Sequence, residues 1–97
     1  SKEHCKGMEG LVAEALKHTI EDGPDEGPLL DASIIAQYQR MTHYGLTGFG
    51  TAAAFSKALK LKDDNKQLKA AVKEMYKADE LMSELAEAAV NEEAADA

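Results

Sequence analysis

The residue of this chain best placed to do chemistry is a carboxylate on an otherwise apolar helical seam. Leu68, Val72, Met75, Asp79, Met82, Ala86 and Ala89 alternate spacings of four and three, so they share one stripe of a helix, and Asp79 alone among them is charged. Carboxylates that project inward from such positions build metal sites in helical bundles. One aspartate is not a site, because a hard cation needs several oxygen or nitrogen donors. The competing reading leaves Asp79 at the seam edge, reaching water or bonded to Tyr38, Tyr44 or His43. His43 itself reads either as a ligand or, better, as a hydrogen-bonded interfacial histidine.

Other reactive side chains are fewer. Cys5 stands beside Lys6 near a predicted helix start, which can lower a thiol pKa; a structural, partly buried thiol is the preferred reading. His4 and His18 are not spaced as a ligand pair and are expected at the surface. Met8, Met41, Met75 and Met82 are too dispersed for a copper site and read as core fillers. No Ser/His/Asp set, phosphate-binding glycine loop or zinc-ligand cluster is present, so hydrolase and nucleotide-binding readings are poor.

The elements that must position these groups are helices. Met8, Leu11, Val12, Leu16 and Ile20 recur at helical spacing and predict a first helix over residues 5–21. The acidic stretch 22–30 holds both prolines of the chain and is expected as a solvated linker; it lacks the ligand pattern of a calcium loop. Asp31 is expected as an N-cap, with Leu30 as its hydrophobic staple, for a helix over residues 32–60. The stripe of that helix is traced through Ile35, Tyr38, Thr42, Gly45, Phe49 and Ala52. Gly45, Gly48 and Gly50 each cost it up to ~1 kcal/mol relative to alanine. They call for a close neighbour, a kink or lost side chains. Asp64 with Gln67 resembles a capping box at the start of the third helix, and residues 91–97 are expected to fray.

Composition bounds the partners. The chain has 97 residues, 18 acidic against 11 basic, for a net charge of −7, which argues against nucleic acid or an anionic membrane as the ligand. No apolar run approaches a membrane span, and the single cysteine fits a reducing compartment, so a cytoplasmic protein is expected. Aromatics are 5% and tryptophan is absent, which suits close helix packing. Three short-chain helices bury too little to be robust alone, so self-association or a partner helical subunit is expected.

The run Cys5-Lys-Gly-Met-Glu-Gly-Leu11, then Asp31-Ala-Ser-Ile-Ile35, His43-Tyr44, Gly48-Phe-Gly-Thr51, Glu74, Asp79 and Leu81-Met-Ser-Glu-Leu85 resembles the YciF/YciE-like branch of the ferritin-like superfamily. The resemblance spans residues 5–90 and the later part of the family's usual length. It implies an all-α, ferritin-like bundle, here a single domain over 1–97 whose two long antiparallel helices and shorter N-terminal helix lack counterparts of the family's first two helices. It also implies a bacterial stress-response protein with a dinuclear, di-iron carboxylate site. Where the family reads Glu-His-Tyr-Glu, this chain has Thr42-His43-Tyr44-Gly45, and the second glutamate of the family's Glu-Glu pair is Met75. The implied ligand set is reduced to Asp79 and Glu74, with His43 as a further candidate. The expectation is therefore a structural or assembly protein, not an enzyme by itself, with no cofactor in the isolated chain. A dinuclear iron site is expected only if another segment or subunit, or the rest of a longer protein, completes it.

Overall fold

The computed structural model describes residues 4–96. The first helix, α1 (Lys6–Leu16), widens into a π-helical turn over Lys17–Glu21. Its N-cap is Cys5, whose sulfur accepts the Met8 N–H at 3.4 Å. That contact satisfies one of the free amides that every helix start leaves. Ser33 donates to the His18 carbonyl at 3.0 Å and ties the π-helical turn to the next helix.

The second helix, α2 (Pro28–Ala58), starts earlier than its sequence suggests. Gly27 has φ 140°, a region that side chains rarely adopt, and Pro28 takes the first helical position, where its fixed φ fits and no N–H is needed. The linker expected at 22–30 therefore closes at Gly27. Asp31 lies in the first turn instead of capping it, where its charge still complements the helix dipole.

A tight turn then reverses the chain. Lys60 takes φ 61°, Leu61 N–H donates to the Ser56 carbonyl at 2.9 Å, and Asn65 Nδ2 donates to the Ala53 carbonyl at 2.8 Å. So short a turn starts α3 (Lys62–Leu85) before Asp64, and the capping box expected from Asp64 and Gln67 does not form. Leu61 is the cap and offers no side-chain acceptor; Asp63 and Asp64 sit in the first turn. A π-helical turn at Ala86–Val90 leads into α4 (Asn91–Ala95), which packs on α2. The stretch expected to fray is helical over Asn91–Ala95, with Ala94 half-buried. Residues 1–3 and 97 of the expected domain lie outside the described residues.

Among the described residues the protein is all-α: two long antiparallel helices, with α1 and α3 both packed on α2 and not on each other. Its extents are 52 × 30 × 12 Å. The shortest is one helix diameter, so the helices lie side by side in a single layer. The radius of gyration is 16.4 Å, against ~12.5 Å for a compact chain of this length. The buried hydrophobics are Ile35, Leu46, Ala53 and Ala86, and no large side chain is fully enclosed.

This layering corrects the seam of α2. Ile35, Leu46, Ala53 and Ser56 are buried along one side of α2 and Gln37 on the other, whereas Tyr38 and Phe49 of the expected stripe stay 40% exposed. The α3 seam is as expected: Leu68, Val72, Met75, Asp79, Met82, Ala86 and Ala89 are all half-buried or buried. The α2 glycines are not held by close neighbours. A Cβ at Gly45 would make ordinary contact with Met75, and at Gly48 or Gly50 it would meet nothing within 4 Å.

Two glycine substitutions should therefore move stability in opposite directions in urea titrations at fixed chain concentration. Gly50→Ala should raise it by about 0.5–1 kcal/mol through helix propensity. Gly27→Ala, at φ 140°, should lower it by about 1–2 kcal/mol.

Candidate functional site

The α3 seam brings Asp79 against α2, where its side chain is 17% exposed. Asp79 Oδ2 lies 2.9 Å from His43 Nε2, and the His43 side chain is 60% exposed at the edge of the helix pair. Gln39 Nε2 donates to the Asp79 carbonyl at 3.3 Å and to Ser83 Oγ at 2.8 Å. The result is a polar clasp between the middle of α2 and the C-terminal third of α3. Asp79 Oδ1 is buried and has no hydrogen-bond partner. A buried polar atom without a partner is costly, which makes this oxygen the least satisfied atom of the clasp.

Of the alternatives for Asp79, the bond to His43 is the one formed. Thr42, on the expected stripe of α2, turns back along its own helix and donates to the Tyr38 carbonyl at 2.9 Å. Gly45 has Met75 as its nearest neighbour. Glu74 is exposed and does not join the pair; five residues of helix rotate it about 140° away from Asp79. No three His, Cys, Asp or Glu side chains converge among the described residues. One carboxylate and one imidazole do not fit a dinuclear metal centre, which needs several carboxylates to bridge and neutralise two cations.

A second polar contact sits at the start of α1 and has no counterpart in the sequence reading. The Cys5 sulfur lies 3.5 Å from the Tyr44 hydroxyl. That contact, then the Met8 N–H, holds the Cys5 thiol below its ordinary value, and the same contact pushes Tyr44 up. Cys5 is exposed, which corrects the expectation of a partly buried thiol: a single layer has no interior at its edge. Gly7 makes the contact possible, since a Cβ there would overlap the Tyr44 hydroxyl. A glycine two residues after the cap was the available signal. His4 pairs with Glu9 and His18 with Glu14, both exposed as expected.

Part of the exposed apolar surface lines depressions along α2. Met8, Tyr44, Gly45, Gly48, Phe49 and Leu68 border a groove of about 300 Å³. Phe49, Ala52 and Leu68 also border a hollow of about 550 Å³ that runs on to Phe55, Leu59 and Leu61. Phe55 and Leu59 are 65% and 69% exposed. The two depressions form one continuous trough along α2. His43 lies outside it.

Two outcomes follow from these contacts. A double-mutant cycle between His43→Ala and Asp79→Ala should give a coupling below about 1 kcal/mol, because an exposed imidazole is screened by water. Tyr44→Phe should move the midpoint of Cys5 alkylation by iodoacetamide to higher pH, since it removes the donor that stabilises the thiolate.

A family profile described as "Domain of unknown function (DUF892)" matches residues 1–95. Protein YciF of Escherichia coli (strain K12) is 31% identical over 90 residues, covering 93% of this chain and 53% of that protein. The chain thus spans about half the length of the curated relative it matches. No solved structure gives a significant match. The chain belongs to the DUF892 family, with YciF as a relative.

Proposed function

We propose that this chain is a non-catalytic, ferritin-like assembly module of the YciF type, a half-bundle whose apolar face is covered by further helices. The observation that carries this reading is the uncovered trough on a layer one helix thick. Exposed apolar patches of this extent mark interaction surfaces. Helices laid across the trough would convert the layer into the four-helix cross-section that buries its seams. The clasp of Asp79, His43, Gln39 and Ser83 then serves as a register pin between α2 and α3, since a polar contact satisfied at one offset disfavours slippage of two apolar stripes. A cytoplasmic, stress-linked role follows from the resemblance to the YciF-like family and belongs to the same proposal.

A second reading rests on Asp79 Oδ1, the buried oxygen without a partner. Other helices that brought several carboxylates to Asp79, Glu74 and His43 could complete a dinuclear iron site of ferroxidase or oxidase type. The donors in this chain favour the first reading, because only Asp79 and His43 meet.

Elemental analysis after anaerobic iron loading and desalting separates the two. The assembly reading expects well under one iron per chain. About two irons per assembled unit would establish the metal-binding reading instead.

A further inference from the structure

The charges of this chain are sorted along its length, and α3 carries the boundary. Residues 57–77 hold seven lysines against three carboxylates, whereas residues 78–96 hold seven carboxylates and no lysine or arginine. Lys62, Lys66, Lys69, Lys73 and Lys77 recur at spacings of four and three, which keeps them within about 80° of one another round the helix. Glu80 and Glu84 continue the same strip, and Glu87 follows at the next step. All eight of these residues are exposed. The strip lies about 140° round from the seam of Leu68, Val72 and Asp79 that packs on α2. It is therefore an outer ridge of the layer, turned away from the trough.

The helix itself gains nothing from this order. Every charged pair four residues apart in α3 (Lys62–Lys66, Lys69–Lys73, Lys73–Lys77 and Glu80–Glu84) is of like sign and repels. Lys62 opens the helix and Glu84 stands in its last turn, each at the end where the helix dipole disfavours its charge. Opposite charges three residues apart, Asp63–Lys66, Glu74–Lys77 and Lys77–Glu80, are not closed, since the ion pairs among the described residues all belong to histidines. A solvated face ordinarily intersperses the two signs. A partner of complementary order gains from both halves.

We propose that this ridge is a docking strip for a helical segment of another protein, acidic where it meets the lysines and basic where it meets the glutamates. The lysine half is about 22 Å long and repeats as a helix does, so carboxylates at the same repeat on a partner helix fall opposite it. Nucleic acid fits less well. A phosphate backbone carried past Lys77 would overlie Glu80, Glu84 and Glu87, and the net charge of the chain is −7.

Fluorescence anisotropy tests this with two labelled alanine-based peptides of identical composition. One carries five glutamates at four- and three-residue spacing followed by three lysines; the other carries the same charges interspersed. At low salt the first should bind at least about tenfold more tightly than the second, and added salt should weaken it. Lys69→Glu with Lys73→Glu should weaken that binding by at least about tenfold. Lys6→Glu with Lys17→Glu, the same change of charge on and just after α1, should leave it within about twofold. All four positions are exposed, and circular dichroism checks that both variants stay helical. Equal binding of the two peptides, or equal loss in the two variants, would overturn the proposal. A DNA duplex of about 20 base pairs that bound more tightly than the first peptide, and was released by the ridge variant, would put nucleic acid on the ridge instead. Dimerisation of the wild type that only the ridge variant abolished, read by sedimentation equilibrium, would put a second copy there.

Discussion

Everything in this structure depends on its being one helix thick. A helix in the middle of a single layer has neighbours on two opposite sides and none above or below. That geometry divides the apolar positions of α2 into a buried set around Ile35, Leu46 and Ala53 and an open set around Tyr38, Phe49 and Phe55. It also explains why no large side chain among the described residues is fully enclosed, although 44% of the residues are hydrophobic. The hydrophobic stabilisation available to the layer is proportional to area removed from water, and here much of that area remains wet. Stability of the chain and coverage of its apolar face are therefore the same physical problem.

The polar features are placed where a thin layer can tolerate them. Asp79 sits at the α2–α3 contact, with one oxygen paired to an exposed imidazole at the rim and the other buried without a partner. In a thick core that arrangement would be severely penalised. At the edge of a layer, water reaches the imidazole and the penalty falls on one oxygen only. The Cys5–Tyr44 contact follows the same logic at the other edge. There α1 approaches α2 closely because Gly7 carries no side chain, and the cap sulfur meets a phenol hydroxyl in the open.

How much of this was legible in the sequence differs between helices for a physical reason. The stripe of α3 was readable in full, including Asp79, because α3 has one neighbour and its four–three spacing points to that neighbour. The stripe of α2 was read as a single seam, and spacing alone cannot show that a helix is contacted from two sides. Helix ends were misplaced at Asp31 and Asp64 because a side-chain cap was assumed at each. Pro28 and the positive φ of Gly27 start one helix, and the short turn through Lys60 starts the other. The pairing of Asp79 with His43 stood among the alternatives, whereas that of Cys5 with Tyr44, 39 residues apart, has no periodic signature. Family membership was legible because it rests on the order of short motifs, which survives uncertainty in any one boundary.

Two demands compete for the central strip of α2, and they call for opposite residues. A dinuclear metal site needs long, charged side chains that hold helices apart around two cations, and without the cations their mutual repulsion destabilises the bundle. A close helix crossing needs the least bulk and no charge. Thr42, whose hydroxyl is returned to its own helix, and Gly45, with no side chain, meet the second demand and not the first. Met75 answers in the same way from α3, adding a flexible apolar filler beside Gly45. These three residues are thus mutually consistent in bulk and charge. None of them offers a charged side chain to the strip, and its bulk is correspondingly small.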